Sequence, residues 1–531
     1  MTVADTIVSR LAAAGARAIF GVPGGGTNLD IIDASNAAGL PFVLAQTETG
    51  GAIMAAAQAE ITRAPGVCLS TLGPGVSSLV NGVAHAFLDR VPLVVLTDAM
   101  AEEAQRCFAH QNLPHAALLA PVTRFSAMLE AGGVDALMCE ALTRAAGPPP
   151  GPVHIDCSPA AIGALVDAPV HRPPPLVPPR PTTLRKRTAT LLAAARRPVA
   201  IVGLGAREPD AAAAVHGFCE RRGVPALVTY KGKGVIDSEH PCYAGLFTLG
   251  QIEQPLIEAA DVLITIGLDP VELLPRSWPK APPTVHCAGW PASHEQIPRD
   301  EILVGDIPDM LLQIEGCLSE AAGWDPERVA RHRELQRAAV MVETPGLSPG
   351  RALAAAAAVA HAARHVTVDA GAHMFPAMAL VPADAPNRIL ISNGLSTMGF
   401  ALPAAVGAAL LSPRDPVIAI TGDAGLLMCL GELRTAAREG LRVVVVVMAD
   451  GELSLIRIKQ DRRGLRPDGV RIGGVDWRRA GEALGLHSAS ASDEEGLHRA
   501  LEAALGAGGP SLIEVSIDPS AYGPMFRALR G

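Results

Sequence analysis

Two aspartates, each directly after a run of apolar and β-branched residues, are the residues of this sequence whose type and spacing most clearly indicate chemistry. Asp423 follows PVIAITG, and Asp450 follows LRVVVVVMA. The intervening segment LLMCLGELRTAAREG has the leucine spacing of one helix that ends at Gly440. Because a βαβ crossover places two strand ends side by side, both carboxylates can hold a divalent cation against a diphosphate. Either aspartate alone would indicate only a turn or a helix cap.

The elements that must position these acids belong to the last of three α/β blocks. A chain of 531 residues is too long for one core. A proline-rich stretch, HRPPPLVPPRPTT at 171–183, separates the first two blocks as a stiff linker. Each block alternates helical segments with apolar strands, which predicts an α/β protein of three doubly wound parallel-sheet domains. The predicted domain limits are 1–165, 184–320 and 345–531.

Composition excludes several classes of function. The net charge is −9 without a basic patch, so the sequence predicts no nucleic-acid partner. The nine cysteines form no CxxC motif, which indicates a reducing compartment and no zinc site. The N-terminus has no signal-peptide pattern, and the alanine-rich segment 352–363 is too short to cross a bilayer. We therefore expect a cytoplasmic protein without a membrane partner.

A second acid, Glu48, stands between a strand and a small-residue helix in FVLAQTETGGAIMAAAQAEI. Taken alone, it would be a first-turn acid that the helix dipole favours. Further along, Gly73-Pro74-Gly75 marks a turn between the next strand and helix. With ETGGAIMAAAQAE, TLGPG, LSTMGFALPAAVGAAL, GDAGLLMCLGELRTA and IRIKQ in order, the sequence resembles the thiamine diphosphate-dependent, acetolactate synthase-like enzymes over essentially its whole length. The resemblance implies a pyrimidine-binding, a central Rossmann-like and a diphosphate-binding domain, in that order.

The resemblance also implies roles for individual residues, with thiamine diphosphate and Mg²⁺ as cofactors. Glu48 is expected to be catalytic, through a hydrogen bond to the aminopyrimidine ring. Met398 would wedge the cofactor into a bent shape, although a core methionine is the alternative interpretation. The other cofactor-binding residues would be His373, Ser396, Gly422, Ala424 and Gly425. The magnesium ligands would be Asp423, Asp450 and the backbone carbonyl of Glu452.

The substrate side departs from the commonest family pattern. His110-Gln111 stands where a Phe-Gln pair or two adjacent histidines are usual, and Asp450 stands where asparagine is usual. We expect His110 and Gln111 to contact substrate, and Gly25 of the Gly24–Gly26 turn to line the same cavity. The resemblance implies a decarboxylase or carboligase for a 2-oxo acid or hydroxy ketone. A non-decarboxylating lyase of the benzaldehyde lyase or 2-hydroxyacyl-CoA lyase kind, and an inactive cofactor-binding paralogue, are the alternatives.

Assembly and a third cofactor stay open at this point. Sites of the family form between subunits, so the resemblance implies a homodimer or homotetramer in which Glu48 and Asp423 of different chains meet. The turn Gly203-Leu204-Gly205 follows a strand of the central block, but a lone GxG is a weak nucleotide signal. The sequence does not decide whether FAD or a nucleotide binds this domain.

Overall fold

The computed structural model describes residues 1–530 apart from 131, 168–181, 277, 279–280, 292–295 and 320. Most of the predicted linker at 171–183 therefore lies outside the described residues. The described chain forms three parallel sheets of six strands each, with helices between the strands. The predicted α/β class with three doubly wound domains is confirmed, whereas the limits 1–165, 184–320 and 345–531 stay a prediction. Among the described residues, no helix has the length and apolar character needed to cross a membrane.

The N-terminal sheet has the strand order β2-β1-β3-β4-β6-β5. Its strands are β1 (Ile19–Val22), β2 (Phe42–Leu44), β3 (Gly66–Ser70), β4 (Leu93–Asp98), β5 (Phe125–Met128) and β6 (Pro152–Cys157). Its helices are α1 (Val3–Ala13), α2 (Thr27–Ala37), α3 (Glu48–Thr62), α4 (Pro74–Leu88), α5 (Glu102–Cys107), α6 (His115–Leu119), α7 (Val134–Ala146) and α8 (Pro159–Ile162).

The central sheet has the order β12-β11-β10-β7-β8-β9, which is the Rossmann order with its reversal between β7 and β10. Its strands are β7 (Pro198–Val202), β8 (Ala226–Val228), β9 (Tyr243–Leu246), β10 (Val262–Ile266), β11 (Thr284–Ala288) and β12 (Glu301–Val304). Its helices are α9 (Lys186–Ala194), α10 (Pro209–Arg222), α11 (Gln254–Ala259) and α12 (Ile307–Cys317), and α13 (Pro326–Val340) leads to the last domain.

The C-terminal sheet has the order β14-β13-β15-β16-β18-β17, which repeats the order of the N-terminal sheet strand for strand. Its strands are β13 (His365–Val368), β14 (Ile389–Ile391), β15 (Val417–Gly422), β16 (Val443–Ala449), β17 (His487–Ala491) and β18 (Ser511–Ser516). Its helices are α14 (Pro349–Val359), α15 (Met374–Leu380), α16 (Ala401–Leu411), α17 (Asp423–Met428), α18 (Glu432–Arg438), α19 (Ser454–Arg462), α20 (Trp477–Leu484), α21 (Glu494–Gly506) and α22 (Tyr522–Arg530).

The segment between the two aspartates is two helices, so the prediction of one continuous helix was wrong. α17 ends at Met428, and α18 begins at Glu432 after a turn that contains Gly431. Leu426 and Leu433 are buried, whereas Leu427 is 41% exposed. Because the chain turns between α17 and α18, each helix buries a different set of residues, so the pattern of buried leucines is not that of one continuous helix. The crossover between β15 and β16 was correctly predicted, since these strands pair in parallel.

Helix α3 of the N-terminal domain packs directly on α16 of the C-terminal domain. A Cβ added to Gly407 would lie 2.4 Å from the Met54 carbonyl oxygen, so glycine permits this close approach. Next to the packed helices, the Lys231 ammonium lies 2.8 Å from Glu60 Oε2 and 3.0 Å from Asp89 Oδ2. These charges are buried, and they join the central domain to the N-terminal one. The two domains that carry the predicted site residues are therefore in firm contact within one chain.

Candidate active site

A cavity of about 530 Å³ opens at the carboxyl edge of the C-terminal sheet, where the central domain covers it. Nine of the predicted residues line it: His373, Ser396, Met398, Gly422, Asp423, Ala424, Gly425, Asp450 and Glu452. Glu48, Gly25, His110 and Gln111 are not among its lining residues. The structure thus brings together every predicted site residue of the C-terminal domain and none of those from the N-terminal domain.

The acid pair forms the floor of this cavity. Asp423 Oδ2 accepts hydrogen bonds from the amides of Gly451 (2.7 Å) and Asp450 (3.2 Å), which fixes the β15 end against the β16 end. The Ser454 hydroxyl donates to Asp450 Oδ2 at 2.6 Å. Burial raises the pKa of Asp423, and burial together with the charge of Asp423 raises the pKa of Asp450 to about 6. Two neighbouring carboxylates that repel each other in this way suit a shared divalent cation.

His373 contributes an unsatisfied polar atom to the same cavity. Its side chain is buried, and Nε2 has no hydrogen-bond partner among the described residues. A Cβ added to Gly422 would lie 3.2 Å from the imidazole ring, so this glycine gives the ring its space. Burial lowers the pKa of His373 to about 4, which keeps the imidazole neutral at pH 7. A buried nitrogen without a partner fits an oxygen ligand such as a phosphate.

The amides at the start of α17 are only partly available. The amide of Ala424, a predicted cofactor-binding residue, donates to Asp423 Oδ1 at 2.8 Å. Gly425 is packed against Asp369, since a Cβ at this position would lie 2.3 Å from Asp369 Oδ2. A larger residue at 425 would therefore displace that carboxylate. The short helix supplies a tightly packed wall in addition to any phosphate donors.

Asp369 is a buried acid that the sequence analysis missed. Its carboxylate accepts hydrogen bonds from the Gly399 amide (3.0 Å), the Phe400 amide (3.1 Å) and the Thr421 hydroxyl (2.8 Å). Burial raises the pKa of Asp369 to about 6. The residue ends the strand motif HVTVD, so the strand-end pattern that identified Asp423 could have found it. It fixes the start of α16 directly after Met398.

The loop 392–398, which carries Ser396 and Met398, is held by one face of α4. The Thr397 hydroxyl donates to Asn81 Oδ1 at 3.1 Å, and the Ser392 hydroxyl lies 3.1 Å from His85 Nδ1. The Asp89 carboxylate, at the end of α4, accepts the amides of Asn393 (3.1 Å) and Gly394 (2.7 Å). These contacts support Ser396 in the left-handed region, at φ 54°.

Glu48 is the first residue of α3 and lies outside the cavity. The Gly50 amide donates to Thr47 Oγ1 at 2.9 Å, which caps the helix. The amides of Gln46 and Thr47 donate to Glu432 Oε1 at 3.0 and 3.2 Å, so α18 of the C-terminal domain anchors this cap. Glu432 stands in a helical segment without a strand before it, so the strand-end pattern did not point to it. Glu48 itself is half-buried.

The predicted substrate residues occupy an exposed loop of the N-terminal domain. His110 and Gln111 are both exposed, and Gln111 has φ 56°. Gln111 lines a separate cavity of about 310 Å³ together with His115 and Asp156. His115 Nδ1 lies 2.7 Å from Asp156 Oδ1, and the Gly73 amide donates to His115 Nε2 at 3.1 Å.

That histidine–aspartate pair secures the GPG turn beside Glu48. A Cβ added to Gly75 would lie 3.4 Å from Glu48 Oε1, so the turn and the glutamate are neighbours. Burial acts to raise the pKa of Asp156, but hydrogen bonds from His115 and His154 hold it below its ordinary value. Gly25 is exposed, and a Cβ there would meet no atom within 4 Å.

The backbone amides of the Gly-rich turn in the central domain already donate hydrogen bonds to other groups of the protein. The Leu204 amide donates to Glu272 Oε2 at 3.0 Å, at the reversal of strand order where a dinucleotide would bind. The amides of Gly203 and Gly205 donate to the carbonyls of Ile266 (2.9 Å) and Gly267 (2.8 Å). Burial raises the pKa of Glu272 to about 7. The turn offers no free amide to a phosphate, so these residues do not fit FAD in the Rossmann manner.

Three family models match the chain in succession. They are the N-terminal TPP binding domain (residues 1–118), the central domain (185–314) and the C-terminal TPP binding domain (369–515) of thiamine pyrophosphate enzymes. The chain belongs to the thiamine pyrophosphate enzyme family. Thiamine pyrophosphate is thiamine diphosphate, so the predicted family and the predicted dependence of the enzyme on this cofactor are confirmed.

Curated relatives of the family resemble the chain along nearly its full length. A catabolic acetolactate synthase from Raoultella terrigena is 31% identical over 97% of this chain and 95% of its own length. An acetolactate synthase from Bacillus subtilis is 28% identical over 97% of this chain and 93% of its own length. The large subunit of acetolactate synthase isozyme 2 from Escherichia coli is 28% identical over 98% of this chain.

Proposed function

We propose that this thiamine diphosphate enzyme is a Mg²⁺-dependent decarboxylase and carboligase that acts on a 2-oxo acid, as acetolactate synthases do. The paired carboxylates of Asp423 and Asp450 carry the proposal, together with His373 Nε2, which lies beside them in one cavity and has no partner among the described residues. The full-length similarity to acetolactate synthases supports the choice of substrate class.

The C-terminal domain would hold the cofactor. Asp423, Asp450 and the Glu452 carbonyl would bind Mg²⁺, since hard cations prefer oxygen ligands. His373 would donate from Nε2 to the diphosphate, and Met398 and Ser396 would contact the ring portion. Bound thiamine diphosphate supplies an electron sink for the carbanion that forms when a 2-oxo acid loses CO₂.

The N-terminal domain of a second copy would complete the site. Glu48 would share a proton with the aminopyrimidine ring, while His110, Gln111 and Gly25 would face the substrate. None of these four residues lines the cavity of its own chain. Several large apolar side chains are exposed close in sequence to Glu48, Gln111 or Asp423, and contact with a second copy of the chain would bury them. They are Leu44, Phe108, Leu113, Leu427 and Met428. We therefore propose a homodimer, or a homotetramer built from such dimers.

We further propose that the enzyme works without FAD. The Glu272 carboxylate already binds the Leu204 amide, and a Cβ added to Gly203 would lie only 2.4 Å from Glu272 Oε2. Flavin absorbance near 450 nm in the purified protein, lost together with activity on flavin removal, would contradict this.

A substrate panel tests the proposed function. The purified enzyme, with thiamine diphosphate and Mg²⁺, is given pyruvate, benzoin and a 2-hydroxyacyl-CoA, and CO₂ and ketone products are measured. We expect CO₂ release from pyruvate only, with loss of activity when either cofactor is omitted. Cleavage of benzoin or the CoA ester without CO₂ release would establish the non-decarboxylating lyase instead. No turnover in the whole panel would favour the inactive paralogue.

A further inference from the structure

Arg530, in the last turn of α22, reaches the wall of the cofactor cavity. Its guanidinium carbon lies 4.7 Å from the ring centre of Phe375 in α15. Phe375 in turn contacts Phe526, one helical turn before Arg530, with ring centres 4.5 Å apart at 70°. The arginine is therefore stacked on a packed aromatic pair that restricts its orientation.

A stacked guanidinium uses its face for the ring, so its N–H groups point sideways, where they can reach a ligand. The Nε atom of Arg530 is buried and has no hydrogen-bond partner among the described residues. Within the same described part of the chain, no carboxylate forms an ion pair with this arginine, whereas Arg351 and Arg457 each pair with acids. A buried donor on a cation without a counter-ion indicates a place for an anion.

The surroundings of Arg530 hold it at this wall. The Arg276 guanidinium donates to the Arg530 carbonyl at 3.1 Å, which fastens the helix end to the central-domain loop that covers the cavity. Tyr230 lines the cavity nearby and forms a hydrogen bond with the Arg530 guanidinium, and burial raises the pKa of Tyr230 to about 12 despite this contact. The tyrosine is thus a neutral hydroxyl that does not neutralise Arg530. Lys459, the other basic residue that lines the cavity within the described chain, is exposed.

We propose that Arg530 is a specificity-determining residue that binds the carboxylate of the 2-oxo acid. A guanidinium edge binds a planar carboxylate through two parallel hydrogen bonds. The cofactor diphosphate has similar oxygens, but in the proposed site these oxygens would bind the Mg²⁺ held by Asp423 and Asp450, and they would accept a hydrogen bond from His373. The inference rests on the proposed function, because it names how that site selects an anionic substrate.

The test compares Arg530→Gln and Arg530→Lys with Arg527→Gln, a matched change on the exposed side of the same helix. For each, kcat/KM for pyruvate is measured, and the Kd for thiamine diphosphate is measured separately by calorimetry. For Arg530→Gln we expect kcat/KM to fall about 10- to 100-fold, chiefly through KM, since charged hydrogen bonds are lost. The Kd for the cofactor should stay within about twofold, Arg530→Lys should be intermediate, and Arg527→Gln should match the wild type.

Each other result has a defined meaning. An unchanged KM for pyruvate in Arg530→Gln, with an active wild type, overturns the carboxylate site but leaves the proposed function intact. A parallel loss of cofactor affinity shows that the diphosphate is the anion, and it overturns the substrate assignment. A wild type that turns over no 2-oxo acid overturns both. Thermal unfolding of all variants is recorded, and if Arg530→Gln is unstable, the KM of Arg530→Lys decides.

Discussion

Asp450 shows how one residue changes the electrostatics of a site. The Asp423 carboxylate accepts the amides of Asp450 and Gly451, and the Asp450 carboxylate accepts the Ser454 hydroxyl, so these hydrogen bonds hold both carboxylates in place against their mutual repulsion. An asparagine at position 450 would supply one oxygen without the second charge. The aspartate therefore favours a dication more strongly than the amide would.

We predict that Asp450→Asn weakens Mg²⁺ binding about 5- to 10-fold, because one charge that attracts the cation is lost. The measurement is the Mg²⁺ concentration that gives half-maximal activity at saturating thiamine diphosphate. Asp468→Asn, an exposed aspartate on the same domain, is the control and should not change that concentration. Equal or tighter Mg²⁺ binding in Asp450→Asn would contradict the argument.

Among individual residues, the sequence identified acids at strand ends, but it did not identify residues that reach the cavity only through tertiary packing. Asp423 and Asp450 were recognisable because a strand pattern precedes each of them. Arg530 follows no strand, and it lines the cavity only because α22 folds back over Phe375. Glu432 likewise supports the Glu48 helix from another domain, a relation that no local pattern contains.

Among the elements, α15 depends on a buried lysine at its C-terminal end. Lys233 is buried and donates to the carbonyls of Met378 and, at 2.5 Å, Val381. Among the described residues it has no carboxylate partner. Burial, with a smaller contribution from Arg337, lowers the pKa of Lys233 from its ordinary 10.5 to about 7. The helix carries His373 at its start, so the lysine supports a wall of the cavity that His373 lines.

We predict a distinct dependence of stability on pH from this lysine. Between about pH 7 and 10 the unfolded chain binds a proton at Lys233 that the folded chain does not, so the free energy of unfolding rises with pH. Relative to Lys233→Met, the wild-type melting temperature should therefore increase by about 2 to 4 °C from pH 7 to 9.5. Differential scanning calorimetry measures it, with Lys186→Met at an exposed site as control. Parallel curves for wild type and Lys233→Met would refute the prediction.

Element types were predicted better than element ends. The run of valines at 443–447 is buried throughout, as expected for an interior parallel strand, and β16 forms there. The segment after Asp423 has helical leucine spacing, yet it breaks at Gly431 because two short helices cover different faces of the fold. Periodicity indicates a helix but does not show where packing interrupts it.

Over the whole molecule, each chain contains two sheets of identical strand order and one of Rossmann order. The order of the three domains was predictable because the motifs occur in sequence along the chain. The separation of Glu48 from the cavity of its own chain was anticipated only through the family resemblance. The sequence of one chain does not show whether two of its domains form a site within that chain or between two copies of it.

We predict that two inactive variants restore activity together. Glu48→Gln and Asp423→Asn should each abolish turnover, but after co-expression mixed dimers contain one site with both native residues. Random pairing should then recover about a quarter of wild-type activity. Co-expression of Asp423→Asn with Asp423→Ala, which both remove the same carboxylate, is the control and should recover none. Failure of the first pair to recover activity, with mixed dimers verified by affinity tags, would place both residues in a site within one chain.

The carboxylate of Glu272 has a consequence for protein engineering. It occupies three donors at the strand crossover of a Rossmann sheet: the amides of Leu204 and Asp269 and the hydroxyl of Thr229. A single substitution, Glu272→Ala, would release all three donors and enlarge the space above Gly203. The central domain has the strand order of nucleotide-binding folds, and the Glu272 carboxylate fills the place at its crossover, so a designer who wishes to give this enzyme a regulatory nucleotide has a residue from which to begin.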